Sequence, residues 1–196
     1  MINIILNTNF LKSSVAIQKS AKGLCRDWLA CVYIMDTDTD RIYYCTDGHT
    51  LIYLKEPIEH KQLNGAIALS FEKFPKVKKD FVDVNLMETG EALIHTGKDT
   101  VVVQYADNDH IYKEKFDSIQ QLLNEKEIEK FSHPTEQFVC FDPELLQICY
   151  NFMGMSMYCT RPLSKDEQLQ QMSPVLWANT DKSQCCLVMP MRLGER

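Results

Sequence analysis

The sequence predicts an α+β fold in which a unit of one strand, one helix and three further strands recurs along the chain. Apolar runs of strand length alternate with turn signals, of which the dipeptide Asn64-Gly65 is the strongest. A helix signal follows the first strand of each unit. Each unit is about 50 residues long, and its recurrence indicates a structural repeat without sequence identity.

Composition limits the class of protein before any motif is considered. The chain has 196 residues with 45% apolar and 24% charged side chains, as is usual for a globular domain and part of a second. The net charge of −6 argues against a generally basic nucleic-acid binder, although it permits a local basic patch. We expect no membrane span and, from the start Met1-Ile2-Asn3-Ile4, no signal peptide.

The eight cysteines do not form a metal-binding or redox pattern. None is part of a C-x-x-C pair, and the adjacent Cys185 and Cys186 would point to opposite faces of a strand. Most lie in apolar stretches, where reduced thiols act as small hydrophobic side chains. We therefore expect a cytoplasmic protein without metal or cofactor.

The first unit begins with a strand at 2–6 and a helix that ends at Gly23. Three strands follow at 28–35, 41–45 and 51–54, and the first of them is apolar enough to be buried on both faces. Asn7, Thr8 and Asn9 offer N-cap side chains for the helix. The helix has one apolar face (Phe10, Ile17, Ala21, Leu24) and one basic face (Lys12, Lys19, Lys22).

The second unit repeats this order. A strand at 66–69 is followed by a short helix that Ser70 caps, and three strands are expected at 81–87, 92–95 and 100–105. The short helix carries a second group of basic side chains, among them Lys73, Lys76 and Lys79.

A charged stretch at 107–133 separates the second unit from the third. It is interpreted as a linker with a short amphipathic helix, and the alternative is a partly disordered connector. The third unit has a strand at 138–141 and a helix that Asp142 caps, with Pro143 at its first position. A strand at 155–160, a short helix at 164–172, a strand at 175–178 and a last strand at 185–193 complete it.

Pro190 lies inside the last predicted strand. Because proline cannot donate to a ladder, this strand must run along a sheet edge or leave the sheet at Pro190. Met189 and Met191 flank the proline, and methionine suits surfaces that accept varied partners. The alternative is an ordinary C-terminal strand buried in the core.

Two stretches resemble the bacterial DNA polymerase sliding clamp, the beta subunit. Residues 44–51 (YCTDGHTL) are similar to a motif of the clamp's middle domain, and Ser183-Gln184 with residues 188–193 (VMPMRL) are similar to the clamp C-terminus. The resemblance covers roughly 1–107 and 136–193. It implies the DNA-clamp fold, with antiparallel sheets outside and helices on one face.

The resemblance also implies a domain division. Residues 1–107 would correspond to the clamp's middle domain, 108–134 to a linker with a short helix, and 135–196 to the last half of the third domain. We therefore expect a truncated homologue, which lacks one of the two surfaces through which clamp subunits close their ring and part of the other.

The first function that the resemblance implies is peptide capture. Clamps bind a short glutamine- and leucine-bearing motif of polymerases, the clamp loader and repair factors. The expected pocket residues here are Thr46, Gly48, His49, Leu51, Val188, Met189, Pro190, Met191, Arg192 and Leu193. Thr50 replaces the family's arginine, so one cationic contact is lost. The alternative is that these residues serve only as core, or that Gln168-Leu169 of the same chain occupies the pocket.

The second implied function is contact with double-stranded DNA without sequence specificity. The six candidates are Lys12, Lys19, Lys22, Lys73, Lys76 and Lys79. The alternative is simple solvation of lysine-rich helix faces. The third helix has Glu144, Gln147 and Asn151 in place of lysines, so the lining is incomplete.

No catalytic constellation appears in the sequence, so we expect no enzymatic activity. The favoured hypothesis is an interaction protein that binds clamp-binding motifs and modulates a replication clamp. The alternative is a polymerase processivity factor that encircles DNA as a homo-oligomeric ring.

Overall fold

The computed structural model describes residues 1–23, 29, 31–70, 77, 79–107, 110–111, 117, 121, 133–134, 141–154, 158–161 and 174–190. The strands within them are β1 (Ile2–Asn7), β2 (Val32–Asp36), β3 (Asp40–Thr46), β4 (Thr50–Pro57), β5 (Ile67–Leu69), β6 (Phe81–Leu86), β7 (Glu91–His95), β8 (Thr100–Ala106), β9 (His133–Pro134), β10 (Tyr158–Arg161), β11 (Val175–Ala178) and β12 (Gln184–Val188). The helices are α1 (Thr8–Gly23) and α2 (Pro143–Met153).

The described strands form one antiparallel sheet in the order β1-β6-β7-β8-β5-β2-β3-β4-β12-β11-β10-β9. The first two repeat units exchange strands within it. β1 of the first unit pairs with β6 of the second, with Ile4 opposite Val84, and β5 of the second unit pairs with β2 of the first, with Tyr33 opposite Ala68. The predicted α+β class with antiparallel strands is confirmed. The exchange of strands means that the first two units are joined by ladders between residues far apart in the chain.

The sheet continues into the third unit through β12. This strand pairs with β4, where Cys186 lies opposite Ile52, and with β11 on its other side. β12 ends at Val188, and not at the predicted residue 193, and it lies inside the sheet. Of the two predicted positions, the sheet edge is therefore wrong and departure from the sheet at Pro190 is confirmed. Pro190 lies just beyond the ladder, as its missing N–H requires.

Both described helices begin with the predicted caps. The Asn7 side chain accepts hydrogen bonds from the amides of Asn9 (2.9 Å) and Phe10 (3.2 Å) at the start of α1. Asp142 accepts from the Glu144 amide (2.8 Å), with Pro143 in the first turn of α2. Local residue types were therefore sufficient to place these two helix starts.

Apolar side chains pack on both faces of the central sheet. Between the helices and the sheet, the Phe10 ring lies 5.9 Å from the Tyr43 ring and 5.6 Å from the Phe152 ring. On the opposite face, Tyr33 and Tyr44 stack with their centroids 5.1 Å apart. The expectation that the segment around β2 is buried on both faces is thereby confirmed.

Several predicted boundaries need correction. The strand expected at 28–35 begins at Val32, because its partner β5 ends at Leu69, which pairs with Val32. Phe141, expected to end a strand, lies outside any strand immediately before the cap of α2. The helices predicted after Ser70, within 107–133 and at 164–172 lie outside the described residues, apart from isolated positions.

Candidate functional site

The turn between β3 and β4 contains the first half of the predicted pocket. The Asp47 carboxylate accepts hydrogen bonds from the backbone amides of His49 (2.9 Å) and Thr50 (2.7 Å). The Thr46 hydroxyl accepts from the Gly48 amide (3.1 Å). Gly48 has a φ of 90°, a conformation that side chains with a Cβ disfavour. The residue types at Thr46, Asp47 and Gly48 are therefore explained by hydrogen bonds and backbone conformation within the turn.

Asp47 is fully buried, and sequence reasoning did not include it among the site residues. One carboxylate oxygen holds the turn, whereas the other is buried without a hydrogen-bond partner among the described residues. The sequence signal that would have found it is the Asp-Gly pair after an apolar strand, where aspartate side chains commonly cap backbone amides. Asp47 therefore shapes the turn from beneath and does not itself face a ligand.

The end of β12 lies directly beside this turn. Val188 pairs with Thr50 and Leu187 with Leu51. The Met189 amide then donates to the His49 carbonyl (2.8 Å). Residues that are about 140 positions apart in the chain thus meet at one point, as antiparallel pairing allows.

The predicted pocket residues fall into three groups. Gly48, His49 and Met189 are exposed, Met189 to 37%, and are available to a partner. Pro190 is partly exposed and belongs with them. The second group is buried in the core and consists of Thr46, Leu51 and Val188. Met191, Arg192 and Leu193 lie outside the described residues.

Thr50 stands where the family motif has arginine. Its side chain is buried in the ladder opposite Val188, and its hydroxyl has no hydrogen-bond partner among the described residues. This position therefore presents neither charge nor a hydroxyl to the surface.

Replacing Asp47 by alanine is expected to lower the free energy of unfolding by about 2 kcal/mol, because two turn amides lose their acceptor. Asp47→Asn keeps an acceptor oxygen and is the matched control, with less than half of that loss expected. Urea unfolding followed by tryptophan fluorescence measures both changes. Equal losses for the two variants would contradict the assigned role of the carboxylate.

The predicted basic residues are only partly described. Lys12 and Lys19 are exposed on α1, and Lys79 is exposed just before β6. Lys22 lies in α1 with its side chain outside the described set, and Lys73 and Lys76 lie outside it altogether. The structure therefore places two of the six lysines together on one described helix face.

The neighbouring helix α2 has a different surface. It packs on α1, where the Ser13 hydroxyl donates to the Ile148 carbonyl (3.4 Å). Its outward side chains include the exposed Leu146 and Tyr150, and the helix contains no lysine or arginine. The helix layer thus combines a basic helix with one that is apolar and acidic.

The five cysteines whose side chains the structure describes are free thiols. Burial raises the pKa of Cys185 to about 12, with the attraction of Lys182 opposing it, and raises the pKa values of Cys45 and Cys186 well above the usual range. Such thiols remain protonated and act as core side chains, as the sequence predicted.

Among the described residues no three histidine, cysteine or acidic side chains are grouped as metal ligands. No described helix has both the length and the apolar character needed to cross a bilayer.

No protein-family model matches the chain, and no curated protein matches it in sequence. Solved structures do match. The DNA polymerase III beta subunit of Thermotoga maritima aligns with a TM-score of 0.53 at 14% identity, over 99% of this chain and 66% of that one. The C. crescentus beta sliding clamp aligns with a TM-score of 0.55 at 13% identity, over 97% and 66%. The DnaN sliding clamp of Pseudomonas aeruginosa, bound to griselimycin, aligns with a TM-score of 0.51 at 13% identity, over 98% and 66%.

This chain therefore spans about two thirds of the clamp subunits that it matches. Identities this low establish a shared fold and leave function to be argued from the site. The resemblance that the two sequence motifs predicted is confirmed at that level: the structure has the fold of the bacterial beta sliding clamp.

Proposed function

We propose that this protein is a clamp-like interaction protein, which binds the clamp-binding motifs of replication and repair proteins and modulates a replication clamp. The observation that carries the proposal is the hydrogen bond between the Met189 amide and the His49 carbonyl (2.8 Å). It joins the two motif-bearing stretches and leaves exposed His49 and Met189 side by side over a rigid base.

The base of this proposed pocket is rigid for a physical reason. Val188 of β12 and Leu51 of β4 lie in the continuous ladder between these two strands and are buried on its opposite faces. Asp47 holds the turn from inside through its two amide hydrogen bonds. A preorganised wall of this kind lowers the entropy that a short peptide must lose on binding, and exposed methionine adapts to its apolar side chains.

The proposed partners are those that the resemblance implies, namely a polymerase, the clamp loader or repair factors, in the cytoplasm and without enzymatic chemistry on this chain. Because Thr50 removes a cation that the family motif has, Arg192 is the one predicted pocket residue with a fixed positive charge, and apolar contact and His49 contribute more. We therefore expect binding to depend only weakly on salt.

The test is fluorescence anisotropy with a labelled peptide that bears a glutamine- and leucine-containing clamp-binding motif. We expect saturable binding, with Met189→Ala and His49→Ala each weakening it about tenfold through the loss of roughly 1.4 kcal/mol of contact energy. Val102→Ala is the matched control, because Val102 is a 54% exposed apolar side chain on β8, far from the pocket in strand order.

Two outcomes would contradict the proposal. A folded protein that shows no saturable binding would mean that the motif residues serve only as structure. Binding that both pocket substitutions leave unchanged would place the peptide elsewhere on the surface.

A second candidate is a processivity factor that encircles DNA as a homo-oligomeric ring. Exposed Lys12 and Lys19 on one face of α1 favour it, since phosphate contact needs such a row. The apolar and acidic surface of α2 beside them disfavours it. Sedimentation of the protein alone separates the two candidates, because a ring requires several copies and peptide capture requires one.

A further inference from the structure

A cavity of about 640 Å³ opens at the end of the β3–β4 hairpin opposite to the Thr46–His49 turn. It lies where β1 and the start of β6 approach the beginning of β3, the end of β4 and the loop that follows. The side chains that matter for its chemistry are Ile5, Arg41, Tyr43, Glu56, Glu59 and Phe81.

The positive charge at this cavity is already matched. Arg41 is buried and donates to both carboxylate oxygens of Asp36, from Nε (2.6 Å) and Nη2 (2.9 Å). Asp36 also accepts from the backbone amides of Gln62 (2.8 Å) and Leu63 (2.9 Å). Lys55, the cation on β4, lies 3.4 Å from Asp40. Neither of these two cations is therefore available to attract an anionic ligand, and the exposed His60 is the remaining basic side chain of the lining.

The carboxylates of the cavity lining are Glu56 and Glu59. Burial raises the pKa of the Glu56 carboxyl, although a hydrogen bond with Tyr43 and the attraction of Arg41 oppose the shift. Glu59 is exposed in the following loop, and Asp83 is exposed directly opposite Ile5 across the β1–β6 ladder. A partly desolvated carboxylate of this kind is stabilised by an incoming cation.

Two exposed apolar side chains stand at the same opening. Ile5 is 54% exposed and Phe81 is 50% exposed. Ile5 pairs with Asp83 in the β1–β6 ladder. Phe81, two residues before Asp83, is therefore the diagonal neighbour of Ile5 on the same face of the sheet. β1 is also the last strand of the sheet on this side, so its outer edge is without a ladder partner among the described strands.

We infer that this cavity binds a segment of a partner protein in which a lysine or arginine stands next to a bulky apolar side chain. The cation would lie against Glu56 and Glu59, and the apolar group would cover Ile5 and Phe81. The site is separate from the proposed peptide pocket, because the length of the β3–β4 hairpin lies between them. It would allow one chain to contact two partners, and it does not depend on the proposed function.

The probe is N-acetyl-leucyl-arginine amide, titrated into the full 15N-labelled chain and followed by NMR. We expect saturable shifts of the amides of Asn3, Ile5 and Glu56, with a dissociation constant of about 1 mM. Ile5→Ser is expected to weaken binding about tenfold, whereas Val102→Ser, at an equally exposed position on β8, leaves it unchanged. Glu59→Gln weakens it about threefold without touching the buried network, because one exposed carboxylate is lost.

N-acetyl-leucyl-glutamate amide is the probe of opposite charge. Equal binding of the two probes would overturn the assigned role of the carboxylates, and binding that survives Ile5→Ser would overturn the assigned apolar contact. Shifts that grow linearly without saturation would overturn the site itself. Met189→Ala serves as the cross-control, and loss of dipeptide binding in that variant would assign the shifts to the other pocket.

Discussion

Replacing Asp36 by asparagine is expected to destabilise the fold by about 3 kcal/mol or more, because a buried guanidinium is left without its counter-charge. The Arg41 and Asp36 side chains are both almost inaccessible to water, and the carboxylate accepts four hydrogen bonds. Asp38→Asn, on an exposed residue of the same hairpin turn, is the matched control and is expected to change stability by about 0.5 kcal/mol at most.

The same pair makes stability depend on pH in a defined direction. Burial tends to raise the pKa of Asp36, but the hydrogen bonds from Arg41 and the amides of Gln62 and Leu63 outweigh it and lower the pKa in the folded state. The stabilisation is therefore fully present above the unfolded pKa of about 4 and is lost as the pH falls through the lower folded value.

Urea unfolding at several pH values tests both parts of this prediction. The native chain should lose stability on acidification below about pH 4. The loss of unfolding free energy over this pH range should be smaller in Asp36→Asn. If Asp36→Asn is as stable as Asp38→Asn near neutral pH, the ion pair does not contribute as stated. The result also bears on the cavity between β1 and the β3–β4 hairpin, because Arg41 forms part of its wall.

Replacing Phe10 by alanine is expected to cost about 3–5 kcal/mol, since a fully buried ring is removed from a packed core. Phe10 contacts the Tyr43 ring of β3 and the Phe152 ring of α2, so it links the first unit to the third. The loss should therefore loosen α2 as well as α1.

Near-ultraviolet circular dichroism and urea unfolding measure this loss together. Phe81→Ala is the matched control, because the same ring is removed from a half-exposed position, where a change within about 0.5 kcal/mol is usual. A small effect of Phe10→Ala would show that the helix layer is held to the sheet mainly by other contacts. Hydrogen exchange of the α2 amides would then remain slow in the variant.

The proposed peptide pocket depends on the same long-range order. His49 and Met189 are neighbours only because β12 pairs with β4. Substitutions that loosen the third unit should therefore weaken peptide binding without touching the pocket. This distinguishes a site built across repeat units from one contained in a single loop.

The sequence by itself determined the features that depend on near neighbours along the chain. Asn7 and Asp142 cap their helices through amides two or three residues away. The turns after Asp36 and Thr46 close hairpins through residues of the same short loops. Such contacts are local in sequence, so residue type and spacing are enough to predict them.

Only the tertiary structure decided which strands pair across the repeats. The exchange of β1 and β5 between units joins residues about 35 to 85 positions apart, and the β4–β12 ladder joins residues more than 120 apart. Strand periodicity reports which face is buried and does not name a partner. The burial of Asp47 and Thr50 follows from that ladder, as does the place of Met189, since these are set by packing between distant segments that a linear pattern does not encode.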